Sequence, residues 1–227
     1  MKKILYFDLE WVPVEKDLDT VRYKNPVLYD AWVRRYDKFK ESGKLENYNS
    51  PEEYFDAEAG FYPEFIKIIV GSFGYYSDNG QFKVDSIHGD DELEVLTNIK
   101  KLLDKVYGHY KLCGHGIKRY DMPYLAKRMA INGLKVPHDL NNGNKKPWEI
   151  DVVDTSELWS FGCNQEKYTP LDWICAVLDV PTSKSDISGK DVKKAYYEEG
   201  RLNDIKDYCE RDVEVTAQVE RKINNFI

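Results

Sequence analysis

The chain has 227 residues and a formal net charge of −7; 42% of it is hydrophobic and 14% aromatic. That length and composition allow a sizeable core in one large domain or two small ones, and the acidity excludes a protein that coats duplex DNA by neutralising its phosphates. No apolar run approaches a transmembrane span, and Cys113, Cys163, Cys175 and Cys209 form no C-x-x-C pair and show no zinc spacing with His88, His109, His115 or His138, which argues against a zinc site or a disulfide framework.

The first element reads KKILYFDLE, Lys2 to Glu10. Acids arrive by Asp8, too early for the apolar stretch of a signal peptide, and the run reads as a strand. Strand side chains alternate, so Asp8 and Glu10 leave on one face and Leu9 on the other. Apolar residues on both faces suggest a central strand, and in open α/β sheets sites form at the carboxyl ends of such strands. By itself D-x-E reads as well as an exposed strand end with two solvated acids. The segment 12–65 is long for a connection. Leu28, Trp32, Tyr36 and Phe39 make a helical stripe, and Ser50-Pro51-Glu52-Glu53 reads as a capping box. The segment is expected to be a helical insertion that covers a sheet edge or guides a strand beside the first acids. Its aromatics suit core packing, with stacking on bases as the alternative.

Two strands follow, Ile66 to Tyr76 and Gln81 to Ile87, joined by the turn Ser77-Asp78-Asn79-Gly80. A helix is expected from Asp91 to Tyr107 and a short buried strand from Lys111 to Cys113, broken by Gly114 and Gly116. Another helix starts near Asp121, with Pro123 in its first turn, where Asp121 reads as an N-cap or as a ligand. Trp148 to Val153 is expected as a fifth strand. Asp151 and Asp154 end it, Asp154-Thr155 caps the next helix, and neither is assigned to metal. Short helices are expected near 170–178 and 189–199. On the last helix, about Asp204 to Asn224, Ile205, Tyr208, Asp212, Val215, Val219 and Ile223 share one face, so Tyr208 and Asp212 stand one above the other. Cys209, beside Tyr208, is given no role.

Asp8, Glu10, Asp121 and Asp212 thus fall at a strand end, at a helix start or on an apolar helix face, with no matching run of Lys or Arg. A buried carboxylate costs several kcal/mol unless paired or metal-bound. Together the four read as a site for divalent cations, and an all-oxygen donor set suits Mg²⁺ or Mn²⁺ rather than Zn²⁺.

In order and type these acids resemble those of the four-acid 3′–5′ exonucleases of the ribonuclease H-like fold. Tyr208-x-x-x-Asp212 resembles the tyrosine branch, which includes the proofreading domain of family-B DNA polymerases. FDLEW, YPEFIKIIVGSFG, GHGIKRYDMPYLAKRMAINGL, KPWEIDVVDTSELWSFG, KSDISGKDV and YCERDVEVT resemble stand-alone bacterial and phage relatives of that domain, over nearly the whole chain and least from 13 to 61. The resemblance implies an α/β, ribonuclease H-like fold: a five-stranded mixed sheet flanked by helices, within a single exonuclease domain over 1–227 that carries the insertion. It implies two divalent ions, Mg²⁺ or Mn²⁺, with Asp8 bridging both, Glu10 and Asp212 completing the first and Asp121 the second, while Tyr208 aims the attacking water. Leu9, His115, Gly116 and Tyr120 are the expected substrate contacts.

Many relatives carry an asparagine where this chain has Gly116, which leaves terminal-nucleotide binding to be supplied otherwise, by a main-chain N–H or by His115. Lys118, Arg119, Lys127, Arg128, Lys184, Lys190, Lys193 and Lys194 either line a strand path or coat solvated helix faces. The expected activity is metal-dependent removal of nucleoside 5′-monophosphates from the 3′ end of single-stranded DNA. RNA trimming and non-catalytic nucleic-acid binding are the alternatives. The expected setting is cytoplasmic, without membrane association. A polymerase or other replication protein is a possible partner, and the oligomeric state stays open.

Overall fold

The computed structural model describes residues 2–163, 168–182 and 187–226. Its five-stranded sheet has the order β3-β2-β1-β4-β5, built from β1 (Lys3–Pro13), β2 (Ile66–Tyr76), β3 (Phe82–His88), β4 (Tyr110–Gly114) and β5 (Val153–Asp154). β2 and β3 are antiparallel, whereas β1 with β4 and β4 with β5 are parallel, so the sheet is mixed. The helices are α1 (Leu18–Lys24), α2 (Pro26–Glu41), α3 (Pro51–Glu58), α4 (Glu92–Val106), α5 (Asp121–Ile131), α6 (Thr155–Ser160), α7 (Leu171–Val177), α8 (Val192–Tyr197) and α9 (Leu202–Asn224). Among the described residues no helix is long and apolar enough to cross a membrane.

The chain divides into two compact units, Met1–Glu10 with Ile68–Ile227, and Trp11–Lys67. In the first, the double-sided apolar character of β1 has its cause in the layers above and below it. Tyr6 joins Cys113, Val213 and Ala217 in a cluster against α9, while Phe7 stacks on Phe73 on the opposite face at 5.9 Å. Two glycines of β2 admit the helices. A Cβ at Gly71 would lie 2.7 Å from Ile99 Cδ1 of α4 and 3.2 Å from Leu9 Cδ2, and one at Gly74 would lie 2.9 Å from Val213 Cγ1 of α9. The missing side chains let α4 settle on one face and α9 on the other.

α9 buries more of its circumference than one stripe. Val215, Val219 and Ile223 pack with Ile174 and Cys175 of α7, while Val213 and Ala217 face the sheet. The second unit is organised around Trp32, which is fully buried, stacks on Tyr54 at 4.7 Å and donates from its indole N–H to the Pro51 carbonyl at 3.0 Å. Phe55 and Phe65 meet the same ring edge-on. These aromatics are spent on the unit's own core.

Three local expectations change. The strand expected over Trp148 to Val153 is a 3₁₀ turn at Pro147–Glu149 followed by the two residues of β5. Pro147 cannot donate to a ladder, and Trp148 is 76% exposed with no layer to pack on. The capping box at α3 is half made. Ser50 Oγ accepts from the Glu53 N–H, but the Glu53 carboxylate reaches past Ser50 to the Asn49 N–H. At α5 the N-cap residue is Tyr120 rather than Asp121.

Candidate active site

β1 and α9 bring the acids together. Alternation along β1 puts Asp8 and Glu10 on the α9 face with Tyr6, and one carboxylate oxygen from each of Asp8, Glu10 and Asp212 lies within 4.8 Å of the other two. Asp121 is the first residue of α5 and only 4% exposed. Instead of capping its helix it accepts the Leu9 N–H at 3.2 Å, tying α5 to the strand that carries the other acids.

The electrostatics follow from burial without compensation. Burial, then the charges of Asp121, Asp212 and Glu10, hold the Asp8 carboxyl well above the usual carboxylate range. Burial, then Asp212 and Asp121, do the same to Glu10. Asp121 is pushed up to about 7, chiefly by burial, against the opposing hydrogen bonds from its own and the Leu9 N–H groups. Among the described residues no Lys or Arg forms an ion pair with Asp8 or Glu10. Half-buried, mutually repelling carboxylates of this kind fit a divalent cation, with hard oxygen donors and no competing soft ligand in the trio. Burial, then the charges of Asp212, Glu10 and Asp8, push the proton loss of the Tyr208 phenol far above the ordinary range. It therefore stays protonated as a donor.

The other expected contacts separate. The Leu9 side chain is 3% exposed and belongs to the core, so only its backbone borders the site. The ring of His115 is occupied on both sides, by the Thr155 hydroxyl at 2.8 Å and the Thr169 carbonyl at 3.0 Å. A carbonyl can only accept, so Nε2 carries the proton. Burial lowers the pKa of the ring, which makes Nδ1 an acceptor for Thr155. The Gly116 N–H is likewise taken, by Asp154 Oδ1 at 2.8 Å. Gly116 has φ +70, and a Cβ there would lie 3.0 Å from Tyr168 Cε2. Both groups expected to stand in for the missing asparagine thus already have partners within the fold, and the left-handed φ of this turn favours glycine. Tyr120 sits half-buried beside Tyr124 and Tyr168, with ring centroids 6.2 and 6.1 Å away.

Three residues at the site carry more than their sequence signals suggested. Asp154 caps α6 as expected, but it also accepts from the Gly116 and Lys118 N–H groups and so shapes the loop before Asp121. Cys209 is fully buried, with its thiol 3.4 Å from Asp8 Oδ2; the second buried stripe of α9, Cys209-Val213-Ala217 at four-residue spacing, was the available signal. Tyr168, half-exposed beside Gly116, had none. Of the basic residues, Arg128 is buried in an ion pair with Glu92, Lys118 pairs with Glu157 and Lys194 with Glu199. Arg119 lies over the Tyr120 ring, and Lys184 falls outside the described residues.

No curated protein matches the chain. A solved structure, the family B DNA polymerase from the hyperthermophilic archaeon Pyrobaculum calidifontis, is similar to it with a TM-score of 0.57 and 14% identity, over 100% of this chain and 25% of that one. The chain thus spans about a quarter of the polymerase's length. At that identity the likeness shows the fold alone, an α/β, ribonuclease H-like architecture with a five-stranded mixed sheet flanked by helices. The family model for predicted 3′–5′ exonucleases related to the exonuclease domain of PolB matches residues 61–219, most of the first unit, and the chain belongs to that family.

Proposed function

We propose that the chain is a metal-dependent exonuclease that removes nucleoside 5′-monophosphates from the 3′ end of single-stranded DNA. The observation that carries this reading is the trio of Asp8, Glu10 and Asp212, three carboxylates with oxygens within 4.8 Å of one another. Asp8, Glu10 and Asp212 would hold one ion, and Asp8 with Asp121 a second. Bound there, divalent ions lower the pKa of a coordinated water and stabilise the charge on the phosphate oxygens.

The chain's own groups do the rest. Tyr208, held protonated by burial and its acidic surroundings, would donate a hydrogen bond and orient the water without removing its proton. The Leu9 N–H fixes the Asp121 carboxylate, so that acid does not swing. Such a site takes a strand end. Base-paired ends must fray first, at a few kcal/mol, which favours single strands. DNA is the substrate suggested by the family's relation to a DNA polymerase.

The test is incubation with 5′-labelled single-stranded DNA and RNA, with Mg²⁺ or Mn²⁺ and with excess chelator. The expected result is a ladder of shortened strands from DNA, release of nucleoside 5′-monophosphates, and none of either in chelator. Faster shortening of RNA would move the substrate to RNA, and cleavage that survives chelation would overturn the metal-dependent reading.

A further inference from the structure

We infer that Tyr168 is the binding residue for the terminal nucleotide, its hydroxyl hydrogen-bonding the strand end that the acids cut. The inference rests on the exonuclease reading of the site. Tyr168 lies far in sequence from every acid, yet its ring closes the space that a side chain at position 116 would fill. A Cβ on Gly116 would stand 3.0 Å from its Cε2 and 3.2 Å from its Oη. The ring packs against His115 and Tyr120, with centroids 5.3 and 6.1 Å away.

The phenol lies within the field of the acids. After burial, the charges of Asp121 and Asp154, with Asp8 behind them, raise the pKa of the phenol. It is therefore a neutral group that can both donate and accept. At 42% exposure the residue is open to a ligand, and among the described residues its hydroxyl has no hydrogen-bond partner. The nearby polar groups are already committed, His115 on both nitrogens and the Gly116 N–H to Asp154.

The segment is also anchored. The Thr169 carbonyl accepts from His115 Nε2, and α7 begins two residues later at Leu171. His115 is thus a positioning residue that holds Tyr168. Gly116 turns the chain at φ +70, and the phenol stands over the space its side chain would take.

The experiment measures binding of a short 5′-fluorescent single strand by anisotropy, with Ca²⁺ in place of Mg²⁺, and cleavage with Mg²⁺, for the wild type, Tyr168→Phe, Gly116→Asn, Tyr168→Ala and the double variant Tyr168→Ala with Gly116→Asn. Tyr168→Phe keeps the ring and removes the hydroxyl. Its affinity should fall about tenfold, the worth of one good hydrogen bond, and KM should rise likewise, with kcat and melting temperature unchanged. Gly116→Asn should weaken binding in the wild-type background, because it displaces the phenol. In the Tyr168→Ala background the same substitution should strengthen binding, because the space is vacant, asparagine tolerates the left-handed φ of this turn and its amide restores a donor and an acceptor. That reversal of sign is not produced by a merely structural tyrosine.

Wild-type affinity in Tyr168→Phe would overturn the inference, as would a Gly116→Asn effect of the same sign in both backgrounds. If the wild type binds strands without cutting them, the exonuclease reading fails and the affinities still decide the role of Tyr168. If the wild type neither binds nor cuts, both readings fall.

Discussion

Two groups of buried charge in the same unit have opposite designs. Between α4 and α5, Glu92 accepts from Arg128 Nε at 2.9 Å and a second guanidinium nitrogen at 2.6 Å, from the Asn132 amide at 3.0 Å and from the Ile68 N–H at 2.8 Å. The pair is closed, with every lone-pair direction on the carboxylate answered by the fold. Between β1 and α9, Asp8 has only the weak Cys209 thiol, and both Asp8 and Glu10 are pushed toward their protonated forms by burial and by their acidic neighbours. The first group stabilises the fold; the second is a cost to it, which a bound cation would offset. Glu92 and Asp8 are both partly buried carboxylates, so what separates them is that the fold gives Glu92 a guanidinium partner and Asp8 none among the described residues.

Breaking the closed pair should produce the largest effect. Arg128→Met strands the Glu92 carboxylate and should lower stability by about 3–5 kcal/mol in denaturant unfolding, with kcat of the folded enzyme retained. The double variant Arg128→Met with Glu92→Leu should recover most of the loss, because no uncompensated charge remains. A single variant as stable as the wild type would show that the pair is not the closed unit described.

The open cluster should respond in reverse. Asp8→Ala, Glu10→Ala, Asp121→Ala or Asp212→Ala should each lower kcat/KM by about 10²-fold or more, equivalent to about 2.7 kcal/mol or more of barrier, while the metal-free protein keeps or gains melting temperature at neutral pH. An acid whose loss unfolds the protein and spares the activity belongs with Glu92.

Proton linkage sharpens the contrast. In the chelated protein Asp121 titrates near 7 against an ordinary value of 3.8, so between those values the folded state holds a proton that the unfolded chain has released. Stability must then fall as pH rises through this window and stay low above it. Every tenfold difference in proton affinity between the two states corresponds to about 1.4 kcal/mol. The acids charge as a coupled set, which reduces the total and leaves a loss on the order of 2 kcal/mol. Asp121→Asn can still accept the Leu9 N–H but cannot ionise. Its melting temperature should match the wild type near pH 4 and exceed it at pH 8 in chelator, and Mn²⁺ should reverse the order. Equal pH dependence in the two proteins would place the charge elsewhere.

The sequence made the acids legible because each violates a local rule: Asp8 and Glu10 end an apolar strand, and Asp212 interrupts a helical stripe. The period-two and period-3.6 patterns were enough for β1 to β4 and for α4, α5 and α9, since burial on named faces created them. β5 failed because a two-residue strand has no period. Arg128 was unreadable as a structural cation because its partner lies on another helix, and a single sequence does not pair i with a residue 36 positions away. Cys209 escapes any reading of α9 as one-faced. Tyr168 was invisible for a different reason: its place beside Gly116 is a tertiary contact with no local pattern, although the glycine's lack of a side chain was itself the trace it left.

The smallest effect expected is also the finest test of how the open cluster works. Burial and then the surrounding acids keep Tyr208 protonated, so its hydroxyl adds little to folding and cannot act as a base near neutral pH. Tyr208→Phe keeps the buried ring. If the hydroxyl aims the attacking water, the interaction strengthens only as that water approaches phosphorus, and its loss should lower kcat about tenfold, at ~1.4 kcal/mol, with KM unchanged. The melting temperature in chelator should barely move, because the hydrogen bond lost is balanced by removal of a buried polar group. A raised KM with kcat intact would make Tyr208 a binding residue like Tyr168. A lowered melting temperature with unchanged kinetics would place it, with Arg128, among the groups the fold has closed upon itself.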